Sequence, residues 1–333
     1  VGSEMCIRDS RRASLDTMEA MQAGSRLHRK IQKKMGSTYH AEVPLNIIIE
    51  EENYELGIWG RADGIIIEET VTIDEIKGVY LSLDLLEEPV KVHLAQAKCY
   101  AYIYGIQNDL QKINVQMTYG NLDTGDLKYF SYEYSMQQLQ EWFSDLILKY
   151  KKWADFQYEW RKKRQASIKE LAFPFPYREG QKELAAGVYR TIARKKNLFI
   201  QAPTGVGKTI STLYPAIKAV GEGLGDKIFY LTAKTVTANV AKETLGILCE
   251  KGYRAKSVQI TAKEKLCPCE EVDCNPVSCP YAKGHFDRVN DAVYELWTTE
   301  EVYSREVIRA HAEKWQVCPF EMCLDCLLYT SPS

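Results

Sequence analysis

The sequence predicts an α/β protein with two domains, and three observations support this fold class. Residues 11–150 alternate between helix-like and strand-like segments. Two prolines within residues 173–177 then break any helix and indicate a domain boundary. Beyond them, the apolar run 198–200 leads into a glycine-containing loop and a helical pattern, which is the order that opens a second α/β domain.

Each domain is assigned its elements from local pattern. The first carries strand candidates at residues 42–49, 54–68, 71–77 and 112–119, with helices before, between and after them. A charged helix rich in tryptophan and tyrosine is expected to link the domains over residues 151–172. The second domain is expected to span residues 173–265, with strands at 198–200 and 227–232, followed by a cysteine-rich insertion at 266–325.

Composition limits the class of protein. The chain has 333 residues, 45% hydrophobic and 26% charged, and no apolar run near the roughly 20 residues that a membrane span needs. We therefore predict a soluble, cytoplasmic protein without a membrane partner. The formal charge of −2 gives no overall argument for nucleic acid. Basic clusters at residues 26–34 and 149–164 could bind it, but a solvated helix face explains them equally well.

Both ends of the sequence differ in character from the segments beside them. Residues 1–10 and 326–333 resemble translated sequencing-adaptor read-through, and neither continues the adjacent periodic pattern. We expect both to be artefacts, and the native chain to have been cut on both sides.

Acidic and basic side chains in the first domain indicate a metal site. Asp63 ends one strand candidate, while Glu75 and Lys77 are two residues apart on the next and so share a strand face. Carboxylates suit Mg²⁺ or Mn²⁺, and His28 on the first helix could add a nitrogen ligand. Such a metal would polarise a phosphodiester and activate water, with Lys77 orienting that water or stabilising developing charge.

Four further polar residues are considered in relation to the predicted metal site. Gln96 and Tyr100 lie one helical turn apart and could both reach the same cleft. Asp74 lies on the opposite strand face and is expected to be structural. Glu42 is either an extra acidic ligand or a solvated residue, and the sequence leaves both open.

These pieces together resemble a known family. The segments Gly24-x-x-x-His28, Gly60-Arg-Ala-Asp63, Asp74-Glu75-Ile76-Lys77 and Gln96-x-x-x-Tyr100 follow in the order found in the RecB-type branch of the PD-(D/E)xK nucleases. The resemblance covers roughly residues 20–120. It implies a nuclease-like fold over residues 11–150, with Asp63, Glu75, Lys77, Gln96 and Tyr100 at a catalytic site.

The second domain opens with a phosphate-binding pattern. Residues 201–209 read Gln-Ala-Pro-Thr-Gly-Val-Gly-Lys-Thr, with Ala202 where the strict pattern has glycine. In this pattern backbone N–H groups hold phosphate, a lysine neutralises its charge, and a hydroxyl binds Mg²⁺. The predicted nucleotide-binding residues are Thr204, Gly205, Gly207, Lys208 and Thr209. Gln181 could pair with adenine, favouring ATP, or could be an exposed residue at a helix start.

The segment that follows the nucleotide fold combines polar groups with cysteines. Residues 229–235 end a strand candidate in hydroxyl and ammonium groups suited to a phosphate backbone, or form a capped helix start. Without a secretory signal, thiolate ligation is expected rather than disulfides. The spacing lacks the paired short motifs of zinc ribbons and favours a 4Fe-4S cluster. The expected ligands are Cys267, Cys274, Cys279 and Cys318, with Cys269 as an alternative to Cys267.

Residues 173–325 resemble the first motor half of a DinG-like, xeroderma-pigmentosum-type superfamily 2 helicase with an iron-sulfur domain. The resemblance implies ATP-driven 5′-to-3′ unwinding of single-stranded or forked DNA in repair or replication rescue, and a bacterial, nucleoid-associated location. No Asp-Glu-x-His box and no second RecA-like domain follow the cysteines. We therefore expect this chain to bind ATP without unwinding DNA.

Three interpretations stay open at this point. The first is a helicase with an active N-terminal nuclease, and the second is a helicase whose N-terminal domain only grips DNA. The third is a zinc-bearing nucleotide-binding scaffold.

Overall fold

A computed structural model describes residues 14–203, 205–233, 235–275 and 277–329. The chain divides into two compact units, Val1–Lys152 and Trp153–Ser333. In the part of the chain that is described, no helix has both the length and the apolar composition of a membrane span.

The first unit is built on a five-stranded mixed sheet. Its elements are α1 (Ser14–Gln32), β1 (Tyr39–Glu50), β2 (Glu55–Ile66), β3 (Thr72–Val79), a short 3₁₀ turn (Leu83–Leu85), α2 (Lys91–Gln107), β4 (Lys112–Asn121), β5 (Leu127–Ser135) and the start of α3 (Met136–Glu170). The strands are arranged in chain order. All neighbours are antiparallel except β3 and β4, which are parallel and connected through α2. The four predicted strands are confirmed, whereas β5 was not predicted.

Helices cover both faces of β3. On one face, Ile73 of β3 joins Val115 of β4 and Ala97 of α2 in the main core of the unit. On the other face, Leu27 and Ile31 of α1 pack against Ile76. Because successive residues of a strand point to opposite faces, this packing fixes which side chains of β3 turn towards each helix.

The second unit is mainly helical. Its elements are α4 (Gln181–Ala193), α5 (Lys208–Gly221), α6 (Thr235–Glu250), β6 (Ser257–Val258), α7 (Lys263–Leu266), α8 (His285–Thr299), β7 (Val302–Tyr303), α9 (Arg305–Trp315) and α10 (Pro319–Tyr329). Strands β6 and β7 pair in parallel over two residues each. One core includes Ile168, Ile217 and Leu248, and a second is centred on the buried faces of α8 and α9.

The strands predicted at residues 198–200 and 227–232 are wrong. Both segments are described, and neither is a strand. Phe199 is 95% exposed and Leu231 is 86% exposed. A strand is defined by backbone hydrogen bonds to a neighbouring strand, and neither segment belongs to a sheet of the described residues. The helix predicted after the phosphate loop is present as α5.

Candidate metal centre and nucleotide loop

The centre lies where β2 and β3 separate. Their ladder pairs Gly64 with Asp74 and extends only from there to Ile66 and Thr72. One residue before Gly64, the Asp63 carboxylate replaces the ladder, since its Oδ2 accepts a hydrogen bond of 2.8 Å from the backbone N–H of Ile76. This bond holds the Asp63 side chain against β3. The other carboxylate oxygen, Oδ1, is on the side of His28.

Glu75 and Lys77 share one face of β3, as predicted from their spacing. Lys77 Nζ lies 2.7 Å from Glu75 Oε1 and donates to Gln96 Oε1 at 3.1 Å. Gln96 in turn donates to the hydroxyl oxygen of Tyr100 at 3.2 Å. Four polar side chains from β3 and α2 therefore form one connected line.

Glu75 is unusually placed for a carboxylate. Its side chain is 1% exposed, and among the described residues its Oε2 has no hydrogen-bond partner. Burial raises the pKa of Glu75 to about 7, and the negative charge of Asp63 adds to the shift, although the Lys77 ammonium opposes it. A buried carboxylate oxygen without a donor is costly, so this oxygen is suited to receive a cation.

His28 reaches the same region from α1. Leu27 and Ile31, which flank it on the helix, pack against Ile76 and so direct this part of α1 at β3. His28 Nδ1 lies 3.3 Å from Asp63 Oδ1. Burial alone would lower the pKa of His28, but its hydrogen bond to Asp63 and the charge of that carboxylate outweigh burial and raise it.

Gly60 is required by the approach of Tyr100. A Cβ atom at position 60 would lie 2.4 Å from the Tyr100 ring. The absence of a side chain there lets the ring lie against β2 and its hydroxyl reach Gln96. Burial raises the pKa of Tyr100, so this hydroxyl keeps its proton.

Asp74 lies on the other face of β3 and has a different environment. Its carboxylate accepts hydrogen bonds from Thr118 Oγ1 at 2.5 Å, Tyr39 OH at 3.1 Å and Gln116 Nε2 at 3.2 Å. Three donors match a buried carboxylate well. This environment is consistent with the expected structural role.

Two residues of the centre were missed in the sequence. Gln32 lies one turn after His28 on α1, and its Nε2 donates to the Asp63 carbonyl at 2.9 Å and to Glu42 Oε1 at 3.1 Å. His93 lies one turn before Gln96 on α2, and burial and then the Lys77 charge lower its pKa to about 4. In both cases the signal was the spacing of one helical turn from a predicted residue.

Glu42 lies next to this centre. Ligand atoms of His28, Glu42 and Asp63 all lie within 4.8 Å of one another. This spacing allows one small cation to contact all three side chains.

The predicted phosphate loop has the backbone of an anion-binding turn. Gly205 and Gly207 have φ angles of +86° and +73°, and Gly207 is the residue before α5. Lys208 Nζ donates to the carbonyls of Ala202 and Pro203 at 2.8 and 2.9 Å. Thr209 follows in the first turn of α5, where N–H groups are available to an anion. The predicted residue Thr204 lies outside the described residues, as does Lys234, the lysine of the segment 229–235.

Gln181 forms hydrogen bonds both to the phosphate loop and to the segment before α4. It is 4% exposed, so its interpretation as an exposed residue at a helix start is wrong. Its Nε2 donates to the Val206 carbonyl at 3.2 Å, and its Oε1 accepts from the Arg178 N–H at 3.0 Å. Arg178 itself donates to the Gly205 carbonyl. These bonds link the start of α4 to the loop.

The predicted cluster ligands are not gathered at one point: among the described residues, no three cysteine Sγ atoms all lie within 4.8 Å of one another. Burial, and then the thiols of Cys279 and Cys267, raise the pKa of Cys269 to about 11, so both thiols lie near Cys269. Burial raises the pKa of Cys318, and the charge of Cys274 adds to this shift. Lys263 Nζ lies 3.6 Å from Cys274 Sγ. The structure therefore brings Cys269 near two predicted ligands and does not choose between it and Cys267.

The comparisons with known proteins match limited parts of the chain. No protein-family model matches it. A segment of 51 residues is 51% identical to a probable ATP-dependent helicase of Methanocaldococcus jannaschii, covering 15% of this chain and 8% of that protein. The crystal structure of SSO0001 matches at a TM-score of 0.28 and 20% identity, over 41% of this chain and 61% of that one; a likeness this weak carries no argument. The chain is thus related to a probable helicase over a short segment.

Proposed function

We propose that this chain is part of an ATP-dependent DNA helicase whose N-terminal unit is a metal-dependent nuclease. The observation that carries the nuclease proposal is a convergence of side chains. His28 from α1, Asp63 from β2, and Glu75 and Lys77 from β3 meet beside Gln96 and Tyr100 of α2. An ordinary surface ion pair involves two side chains. Here, acidic, basic and polar side chains from α1, β2, β3 and α2 lie together at the end of the β2–β3 ladder, as they would in a catalytic site.

The residues present fit a divalent cation. An imidazole nitrogen with the Asp63 and Glu75 carboxylates is a ligand set for Mg²⁺ or Mn²⁺. The buried Oε2 of Glu75, which has no hydrogen-bond partner in the described part of the chain, is an available ligand atom. When bound, the cation would polarise a phosphodiester and lower the pKa of an attacking water.

The protein side chains have distinct roles in this proposal. Lys77 is held by Glu75 and Gln96, so its ammonium is positioned to stabilise negative charge that develops on the phosphate. Gln96, held by Tyr100, keeps Lys77 in place. Gly60 makes room for Tyr100 and thus supports the same line of contacts from β2.

The motor part of the proposal rests on different observations. The 51-residue match is to a probable ATP-dependent helicase, and Gly205, Gly207, Lys208 and Thr209 form a loop at the start of α5. We propose that this loop binds the phosphates of ATP with Mg²⁺. The nucleic acid is proposed to be single-stranded or forked DNA, and the pathway a form of DNA repair.

The cysteine-rich part of the second unit is proposed to hold a 4Fe-4S cluster. Cys267, Cys274, Cys279 and Cys318 are the proposed ligands, with Cys269 as the alternative to Cys267. Anaerobic purification tests this directly. A cluster gives a brown protein with visible absorbance and stoichiometric iron, whereas zinc gives neither.

The nuclease proposal is tested by Mn²⁺- and Mg²⁺-dependent cleavage of single-stranded and forked DNA. Lys77→Ala is expected to lower the cleavage rate at least about 100-fold, because a preorganised charge at the reacting phosphate is lost. The matched control is Lys112→Ala, which removes an exposed lysine of the same sheet that also pairs with a glutamate. Equal, metal-independent cleavage by the wild type and Lys77→Ala would refute the proposal. Salt-sensitive DNA binding without cleavage would instead identify a DNA grip.

A further inference from the structure

One face of the β1–β2 hairpin is open to solvent. Alternate residues of the two strands pack towards α2, with Leu45 and Ile47 in or against the main core of the first unit. The residues between them pair with one another on the opposite side of the hairpin, and most of them are exposed. This outer face consists of Pro44, Asn46 and Ile48 on β1 and, paired with them in the same order, Arg61, Trp59 and Gly57 on β2.

Trp59 lies flat on this outer face. A Cβ atom at position 57 would collide with the six-membered ring of the Trp59 indole, so that ring lies across the backbone of Gly57. Trp59 is nevertheless 72% exposed. Because one side of the indole rests on the strand, its other side is presented to solvent as a flat surface. Such a surface is suited to stacking against another planar group.

The indole lies in an open groove with a cationic side chain beside it. The groove has a volume of about 560 Å³ and is lined by Glu42, Pro44, Trp59, Gly60 and Arg61. Arg61 is two residues after Trp59 on the same face, about 7 Å away along the strand. Its side chain is 66% exposed, and its Nη1 is paired with Glu42. A guanidinium has five N–H donors, so this pairing leaves others to face a phosphate.

The outer face meets the candidate metal centre at one end and acidic side chains at the other. Glu42, where the backbone of β1 has a φ of +56°, lines the groove, and its carboxylate lies within 4.8 Å of ligand atoms of His28 and Asp63. At the opposite end of the hairpin, Glu50 and Glu55 are paired and would repel a phosphate backbone. A nucleic acid strand is therefore favoured on the half of the face next to Glu42.

These features favour a single-stranded nucleic acid over a protein as the partner of the outer face. An exposed aromatic ring stacks on unpaired bases, whose flat sides are accessible, whereas the bases of a duplex are stacked within the helix. The outer face presents two large apolar side chains, Ile48 and Trp59. Two side chains fall far short of the roughly 800 Å² that each partner buries in a stable protein interface.

We propose that the outer face is a base-stacking platform that holds the single-stranded part of a DNA substrate beside the metal centre. A base stacks on Trp59, and a neighbouring phosphate binds Arg61. This inference rests on the proposed function of the first unit as a nuclease, and it adds the residues that select single-stranded over double-stranded DNA.

The test is photocrosslinking of the full chain to single-stranded DNA that carries bromouracil, with a chelator present so that no DNA is cut. Mass spectrometry identifies the crosslinked residue. We expect a crosslink at Trp59 that unlabelled single-stranded DNA suppresses at a concentration at least about 10-fold lower than the matching duplex does, since only an unpaired base can stack on the ring. Tyr129, an aromatic side chain on β5 of the same sheet that is 54% exposed, is the internal control and should give no crosslink.

Arg61→Gln tests the phosphate contact separately. Loss of one phosphate contact is expected to raise the DNA concentration for half-maximal crosslinking of Trp59 about 4-fold at roughly 0.15 M salt, and to reduce the slope of log affinity against log salt by about 0.7. Lys112→Gln breaks a comparable exposed pair with Glu133 on the same sheet and should change neither quantity. Equal effects of the two variants would overturn the role of Arg61, because DNA would then respond only to overall charge.

The outcomes separate this inference from the proposed nuclease. Absence of a crosslink at Trp59, while the chain cuts DNA or crosslinks elsewhere in residues 14–152, overturns the inference alone, as would a protein-binding role of this face. Equal suppression by duplex and single-stranded DNA, or an equal crosslink at Tyr129, also overturns it. A crosslink at Trp59 in a chain that cuts no DNA with Mg²⁺ or Mn²⁺ refutes the nuclease and supports the platform. If the chain neither cuts DNA nor crosslinks within residues 14–152, both fail together.

Discussion

Apolar segments of similar character form buried strands in the first unit of this protein but not in the second. In the first unit, every predicted strand is paired, and Ile73 and Val115 are fully buried between the sheet and α2. In the second unit, the segments 198–200 and 227–232 have the same apolar character, yet neither is a strand in the described structure, and Phe199 and Leu231 are exposed. Apolar pattern alone therefore did not decide which segments became strands.

The difference separates long-range from local structure. A strand requires hydrogen bonds from a neighbour that is distant in sequence, so its formation depends on the rest of the sheet. The phosphate loop requires only two glycines at positive φ and the free N–H groups of one helix start. The loop is therefore formed in the second unit although the strand expected before it is not.

The largest expected effect tests the contrast between the packed and the exposed segments. Ile73→Ala removes a fully buried side chain and is expected to lower the free energy of unfolding of the first unit by about 2–5 kcal/mol. Phe199→Ser should change the second unit by no more than about 0.5 kcal/mol. Hydrogen exchange read by region measures both. An equal loss of protection around residue 199 would mean that Phe199 is packed.

The next largest effect is expected on ATP binding by the phosphate loop, which forms although the strand predicted before it does not. Lys208→Ala is expected to weaken ATP binding by the equivalent of about 1.5–3 kcal/mol, since a charged hydrogen-bond donor to phosphate is lost. Lys196→Ala removes an exposed lysine from the same unit and serves as the control. Calorimetric titration with ATP and Mg²⁺ gives the two affinities. If both variants bind ATP as the wild type does, the loop is not the nucleotide site.

The first unit was largely predictable because its signals were local and mutually consistent. Four strands followed from apolar and β-branched runs, and Glu75 and Lys77 were placed on one face by their spacing alone. The strand β5 was missed, although Leu127–Ser135 is rich in tyrosine and phenylalanine.

The arrangement of the centre could not be derived from spacing. That Asp63 would accept the N–H of Ile76 depends on where the β2–β3 ladder stops, which is a tertiary property. Likewise, the left-handed backbone of Glu42 has no local signal in the sequence. Gly60 was part of a predicted motif, but its physical reason, the approach of Tyr100, appeared only in the structure.

Two glycines, Gly60 and Gly24, allow a matched test of whether the approach of the Tyr100 ring requires glycine at position 60. A Cβ at position 60 would meet the Tyr100 ring at 2.4 Å, whereas a Cβ at position 24 of α1 would meet no atom of the described residues within 4 Å. Gly60→Ala is expected to cost about 1–3 kcal/mol of stability, and Gly24→Ala to add up to about 1 kcal/mol through helix propensity. Urea unfolding measures both. Equal effects of the same sign would show that the Tyr100 ring moves aside without cost.

The smallest expected effect is a pH dependence of the first unit. His93 Nδ1 lies 3.0 Å from the Tyr119 hydroxyl, which itself accepts the N–H of Val90 at 3.0 Å. Burial, and then the charge of Lys77, lower the pKa of His93 to about 4 in the folded state, below the value near 6.5 of an unfolded chain. Between these values the unfolded state binds more protons, so stability is complete above about pH 6.5 and decreases as the pH falls towards 4.

The contribution of His93 is isolated by comparing variants at two pH values. Because the ring is only half-buried, solvent screening limits the expected loss between pH 7 and pH 5 to about 1 kcal/mol. His93→Gln should remove that part of the slope in urea unfolding, and His40→Gln, at an exposed position of β1, should retain it. An unchanged slope in His93→Gln would mean that other groups cause the acid sensitivity. A slope lost in both variants would mean that the effect is not specific to the buried ring beside Tyr119.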